Sequence, residues 1–399
     1  REAARRRPDA ALPYLSLACL YLDWGRSEKA LDAVGEAERR GAEPAEVERL
    51  RAAISAALAT SDPAKPSHWT AVVKHARALL ALDPEDRNAR HVLARAYLGL
   101  RRWEAAATVY GELVRADPDD RRAAEHLGVL RLGDDPDALE YLRLAETDLS
   151  QRVIAALSEA TSADDPAYAS TRVGEVLVQH REWALATRHF ELAVARNPGY
   201  ADAHAYLGYA LDQLGYLDDA APHLLGAVGA APDSPLARMF LGLHYGRAGD
   251  PAAARAQYEA AYDLAPDNPA VCAEIAQTWA AEGRYAAAEI WLREAVSLRP
   301  GDPGMWEILT RFYLDHGMTS EDSAIRAADK LLELVPDGAR AHDLRGWAAF
   351  QIGDYGTAEE YLRRAVELDP MLASGHYHLG LLYLARSHPD RAPEDTPAR

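Results

Sequence analysis

Apolar residues recur along this chain at the three- and four-residue intervals of an amphipathic helix, as at Leu207, Leu211, Leu214 and Leu217. A proline closes each pair of such stretches, at Pro84, Pro118, Pro198, Pro232, Pro266, Pro300, Pro336 and Pro370, in steps of 34, 80, 34, 34, 34, 36 and 34 residues. Asp83, Asp117, Asn197 and Asp369 stand directly before four of them, a pairing that stops one helix and lets the next begin. A period of 34 predicts repeated helix-turn-helix units.

Other residues keep fixed distances from that proline. Ala106, Ala186, Ala220, Ala254, Ala288, Ala324 and Ala358 lie twelve before it, where a small side chain lets two helices approach closely. Gly174, Gly208, Gly242 and Gly346 lie twenty-four before it, where a missing Cβ permits a close crossing. Gly215, Gly249, Gly283 and Gly353, seventeen before it, supply the left-handed residue that ends one helix and turns into the next.

These spaced residues resemble the tetratricopeptide repeat family. One unit reads Ala203-His204-Ala205-Tyr206-Leu207-Gly208, then Leu211, Gly215, Ala220, Leu224, Ala227 and Pro232. The resemblance runs from about Asp9 to His388 and implies an all-α fold, an α-α superhelix (solenoid) of about ten repeats plus a C-terminal capping helix. The units expected are 9–44, 45–84, 85–118, 119–166, 167–198, 199–232, 233–266, 267–300, 301–336 and 337–370, with the cap at 371–388 and a disordered tail at 389–399.

Departures from the pattern divide the array. Thr60 to Pro66 lengthens the turn before Trp69, which predicts a protruding loop. In 119–166, Leu127-Gly128 and Ala138 fit a compressed helix pair, and Ser150 to Ser162 adds a helical segment before Asp165-Pro166. The chain therefore divides into an N-terminal arm (1–118), an irregular junction (119–166) and a C-terminal arm (167–388). Arg345 stands where the family has leucine beside the glycine, which implies a local polar contact.

Composition narrows the function classes. With 62 acidic against 44 basic residues the formal charge is −18, a field that repels phosphates and argues against nucleic acid or an anionic membrane surface as partner. The longest apolar stretch, around Leu12 to Leu22, falls well short of the ~20 residues that span a bilayer. Arg5, Arg6 and Arg7 precede it, and a chain beginning at Arg1 leaves room for an anchor, a leader or a further domain upstream; the localisation expected is cytoplasmic or tethered to a membrane or envelope. Cys19 and Cys272 are read as two small buried hydrophobes rather than a disulfide or zinc framework. The arginine-rich, lysine-poor composition points to a high-GC bacterial source.

No phosphate loop, HExxH or G-x-S-x-G motif is present, so the chain is read as non-enzymatic, with no catalytic residue, metal or cofactor expected. His204, His342 and His376 share one repeat position and are read as structural. Tyr97, Tyr245, Trp279, Tyr313 and Tyr383 on first helices, and Trp103, Trp183, Tyr285 and Tyr355 at the start of second helices, are read as core. In the family the concave face is lined by first helices and holds a peptide. By that resemblance the partner-binding groove comprises Tyr168, Arg172, Tyr206, Tyr209, Met239, Phe240, Arg247, Arg311, Trp347, Phe350 and Tyr377. Its charges are mixed, with Arg95, Arg172, Arg247, Arg311 and Arg340 against Glu175, Asp202, Asp212, Glu274, Glu307, Asp315 and Asp343.

The function this implies is a protein-protein interaction scaffold that binds a peptide or helical segment of a partner protein. Two other readings stand beside it: a repeat module of a larger enzyme or membrane or envelope complex whose other part precedes Arg1, and a self-assembling, homo-oligomeric solenoid.

Overall fold

Each repeat proline ends a helix in the same way. The preceding residue, from Asp83 and Asp117 to Val335 and Asp369, has extended backbone with φ between −133° and −145°, and its N–H still closes the last helical turn. This is the conformation that a following proline imposes. Helix starts are fixed two residues on: Asp86, Asp120 and Ser234 accept the N–H of Ala89, Ala123 and Ala237 at 2.9, 3.0 and 3.3 Å.

The computed structural model describes residues 10–133, 135–160 and 165–387, with only the backbone described at 321 and 322. The basic cluster Arg5 to Arg7, the end of the added helical segment at 161–162, the last residue of the expected cap at 388 and the tail 389–399 lie outside the described residues. The chain divides into two compact units, Arg1–Pro232 and Asp233–Arg399. In the first, the helices are α1 (Leu12–Asp23), α2 (Ser27–Arg39), α3 (Pro44–Ser61), α4 (Pro66–Leu82), α5 (Arg87–Gly99), α6 (Trp103–Ala116), α7 (Arg121–Arg131), α8 (Ala138–Ala145), α9 (Asp148–Ala160), α10 (Pro166–Gln179), α11 (Trp183–Arg196), α12 (Ala201–Gln213) and α13 (Leu217–Ala230). In the second they are α14 (Pro235–Arg247), α15 (Pro251–Leu264), α16 (Pro269–Ala281), α17 (Tyr285–Leu298), α18 (Pro303–Asp315), α19 (Arg326–Leu334), α20 (Ala339–Gln351), α21 (Tyr355–Leu368) and α22 (Ala373–Ser387), with a π-helical turn at Glu321–Ile325 before α19. No strand occurs among the described residues. The fold is the all-α helical-repeat array expected, built of ten helix pairs with α9 added in the irregular stretch and α22 as a single last helix.

The small residues explain how each pair closes. All seven alanines twelve before the proline are completely buried. A Cβ at Gly208 would fall 2.5 Å from Leu224, at Gly242 2.5 Å from Tyr258 and at Gly346 2.7 Å from Leu362, and one at Gly174 would collide with Phe190. Those four partners each stand eight before the proline and are themselves buried, so one large side chain of the second helix fills the gap that the glycine of the first helix leaves. The turn glycines Gly215, Gly249, Gly283 and Gly353 have φ of 80°, 82°, 73° and 82°, in the left-handed region.

A second device recurs six residues after the proline, where a side-chain nitrogen meets that proline's carbonyl oxygen. His204, His342 and His376 do so through Nε2 at 3.0, 2.8 and 2.9 Å, and Trp306 through Nε1 at 2.9 Å. The three histidines are structural, as their shared position suggested. Arg345 makes the polar contact its off-pattern position implied, donating to Asp329 at 2.5 Å with its guanidinium over the Tyr361 ring.

Stacking of neighbours is not the whole of the first unit. The Tyr216 hydroxyl lies 3.2 Å from the carbonyl oxygen of Pro63 and 3.3 Å from that of Gly99. Arg101 pairs with Glu191 and, at 3.3 Å, with Asp219, and Trp103 Nε1 donates to Glu191 at 3.2 Å. These bonds tie the turns around α4 to α6 to α11, α12 and α13. The lengthened turn before Trp69 leaves Thr60 to Asp62, Lys65 and Pro66 exposed, while its Pro63 carbonyl accepts from Tyr216 and, at 3.0 Å, from Trp69 Nε1.

Three expectations are corrected. Cys19 is exposed while Cys272 is buried, because α1 has no preceding described helix over that face. Tyr285 is exposed at the start of α17, although its ring stacks on His316 and meets Phe312 edge-on. Tyr383 is exposed on α22, the last described helix, although its hydroxyl accepts from Arg363 at 3.0 Å.

Candidate partner-binding groove

The first helices of the second unit carry polar residues at helical spacing where their neighbours carry core residues. On α18, Glu307, Arg311 and Asp315 stand four apart and so form one column; on α20, Arg340, Asp343 and Trp347 follow the same face; on α22, Ser374 and His378 do. Together they line a cavity of about 330 Å³. A second cavity of about 320 Å³, lined by Gln277, Ile308 and His316 among others, shares Arg311 and Asp315 with the first. Arg311 thus stands at the junction of two hollows on one face. Its side chain is exposed, and among the described residues it is in no ion pair.

The floor of the first cavity is ordered by aromatic stacking. The rings of Phe350, Trp347 and His378 lie nearly parallel, with centroids 4.9 Å apart for Trp347 and Phe350 and 4.2 Å for Trp347 and His378. His378 Nδ1 is 2.7 Å from the Asp343 carboxylate, which is buried and needs such a partner. Arg340 meets Glu307 at 3.2 Å across the pair boundary.

The expected groove residues separate by unit. In the second unit Arg311 and Trp347 line the same cavity, and Tyr377, exposed on α22, lies beside His378. Phe350 and Phe240 are only 8% and 5% exposed, so neither presents its ring to a partner: Phe350 lies under Trp347, and Phe240 is turned into the packing of α14. Met239 is half-buried against the Tyr258, Val271 and Ile275 core, and Arg247 is exposed at the end of α14.

In the first unit, Tyr168 is exposed on α10, and Arg172 pairs with Glu175 on the same helix. Tyr206 stacks on Phe190 at 5.4 Å, and Tyr209 meets Trp183 edge-on at 5.8 Å. Burial pushes the Tyr206 hydroxyl up to about 12, with the Glu175 and Asp202 charges adding to it, and burial likewise raises Glu175 against the pull of Arg172.

Several of the charges expected in the groove are not solvated. Asp212 and Asp343 are buried, and Glu274 is held above the usual carboxylate range by burial. His378 is the residue that sequence reasoning missed. Its signal is its place thirty-five residues beyond Asp343, one past the repeat length, which brings the two together across adjacent first helices.

Comparison with known proteins agrees with this architecture. Sequence patterns described as tetratricopeptide repeat match residues 69–127, 173–235, 247–312, 322–373 and 344–395. The chain belongs to the tetratricopeptide repeat family, whose members are in general non-catalytic scaffolds that bind protein partners.

A 62-residue stretch, 16% of this chain, is 42% identical to Superkiller complex protein 3 of Mus musculus, of which it spans 4%. Among solved structures, the Cut9-Hcn1 hetero-tetramer of APC/C is 14% identical with a TM-score of 0.47 over 94% of this chain and 98% of that one. PilW, a type IV pilus biogenesis factor, is 20% identical with a TM-score of 0.48 over 53% of this chain and 98% of that one. No described helix is long and apolar enough to cross a membrane, and no group of three or more potential ligands among the described residues is placed to hold a metal ion.

Proposed function

We propose that this chain is a non-enzymatic scaffold whose second unit holds a peptide or helical segment of a partner protein on its first-helix face. The partner sets a carboxylate against Arg311 and an apolar side chain on Trp347. One observation carries this reading: Arg311 is exposed, is in no ion pair among the described residues, and is common to two adjoining hollows. A guanidinium offers its donors in a planar fork that fits a carboxylate bidentately, and such a contact supplies orientation as well as energy. The half-buried Trp347, fixed by parallel contacts with Phe350 and His378, leaves part of its ring as the kind of rigid aromatic anchor that dominates interface energetics.

The test is a peptide array of mixed acidic and apolar sequences probed with the intact chain and with a folded Arg311→Ala variant. Retention of peptides carrying a carboxylate near an apolar residue, lost in the variant, is the expected result. Equal retention by both proteins removes Arg311 from the function.

A further inference from the structure

The long-range bonds of the first unit enclose something. Between the turns around α4 to α6 on one side and α11 to α13 on the other lies a cavity of about 460 Å³, within the size range of small-molecule sites. Its walls are not neighbours in the chain, so it differs from the open face formed when successive repeats simply stack. Trp69, Trp183 and Tyr216 border it, and Arg95, Arg122 and Arg181 line it with Arg101.

The charge in this cavity is unbalanced. Arg101 is neutralised by Glu191 and Asp219, but among the described residues Arg95, Arg122 and Arg181 are in no ion pair. Glu182 is the only carboxylate on the lining. Arg122 and Arg95 act together on both Glu182 and the buried His126, and Glu125 acts on Glu182 as well, so the two guanidinium groups share one region with two carboxylates. Four guanidinium groups against one carboxylate on the described lining, in a chain of net charge −18, make this a place where basic groups are gathered, and a concave site strengthens the field of such a group.

The backbone supplies an independent observation. At the turn position seventeen before the proline, four units carry glycine with φ of 73° to 82°. Two units carry arginine there instead, Arg101 with φ 54° and Arg181 with φ 59°. A left-handed backbone is disfavoured for any residue with a Cβ, and glycine relieves it. Both of these arginines line this cavity, so the strained residues stand where a guanidinium is useful and a glycine would only be relaxed.

We propose that this cavity binds a small, multiply charged anion, with Arg95, Arg122 and Arg181 meeting its charged groups and the three aromatic rings bordering its body. Carboxylate and phosphate oxygens satisfy guanidinium donors alike, so the shared chemistry is a compact polyanion, carried either as an organic polycarboxylate or as a phosphate ester. The site is separate from the groove of the second unit.

Titration of the full chain with citrate and, separately, with pyrophosphate tests this by calorimetry and tryptophan emission, since Trp69 and Trp183 border the cavity. The expected result is saturable one-to-one binding of at least one probe, with an emission change that added salt diminishes. The tighter probe identifies the carboxylate or the phosphate source. In Arg122→Gln the affinity falls at least tenfold.

Arg181→Gly separates fold from binding, because it restores the residue the turn prefers: its melting temperature does not drop while its affinity also falls at least tenfold. The proposal is overturned by the absence of saturation with either probe up to about 10 mM, the limit of weak specific binding. Unchanged affinity in both folded variants, or saturation by an acidic peptide alone, overturns it equally.

Discussion

The indole of Trp347 lies parallel to the imidazole of His378, with an interplanar angle of 11°, and the same imidazole reaches the buried Asp343 carboxylate at 2.7 Å. The ring proposed to meet a partner therefore rests on a side chain that is itself held by a polar contact between adjacent repeats.

That linkage makes the His378→Ala variant informative. It leaves the Asp343 carboxylate buried without its imidazole partner, at a cost of about 1–3 kcal/mol. Urea unfolding measures the loss, and adding Asp343→Asn recovers part of it because a neutral amide is cheaper to bury. A strictly additive double variant would mean that the two side chains do not act as a pair.

Two glycines on α14 have opposite surroundings. A Cβ at Gly242 would fall 2.5 Å from Tyr258, whereas one at Gly246 would meet nothing within 4 Å. Gly242→Ala is expected to destabilise by about 1–3 kcal/mol through overpacking. Gly246→Ala is expected to be neutral or to stabilise by up to about 1 kcal/mol, since alanine loses less conformational freedom in a helix. Thermal unfolding of the two variants side by side should show shifts of different sign.

The buried imidazole of His126 confers a pH dependence on the fold. Burial, with the Arg122, His91 and Arg95 charges adding to it, pushes its pKa down to about 4, while its Nδ1 meets the Arg122 carbonyl oxygen at 2.9 Å. The unfolded chain binds a proton near the ordinary histidine value of about 6.5, so the folded state binds fewer protons between the two values. Its contribution is complete above pH ~6.5 and is lost as pH falls toward 4, up to about 3 kcal/mol. Denaturant unfolding across this window, compared with His126→Phe, should show a steeper acid decline in the unsubstituted chain.

The periodic part of the fold was legible because each repeat solves the same packing problem with the same residue types. Ala220, Gly208 and Gly215 each have a local reason that spacing alone reveals, and the structure gives each of them that role. Exposure was less legible. Phe240 and Phe350 stand on first helices as the proposed contact residues do, but at other repeat positions, twenty-six and twenty before the proline, and both are buried. The bonds of Tyr216 to Pro63 and of Arg101 to Glu191 left no periodic mark, since contacts between distant repeats do not repeat. Arg101 and Arg181 at the glycine position of two turns went unread in the sequence, since their left-handed backbone is seen only in the structure.

The central claim, that the second unit holds a partner through Arg311 and Trp347, is tested most directly by affinity capture from the source cell's lysate, read by mass spectrometry. The intact chain and an Arg311→Glu variant are used side by side. Arg311 is exposed and in no ion pair among the described residues, so the variant is expected to keep its helicity and melting temperature. A protein enriched by the intact chain and absent with the folded variant is the predicted result; equal recovery by both would contradict the account.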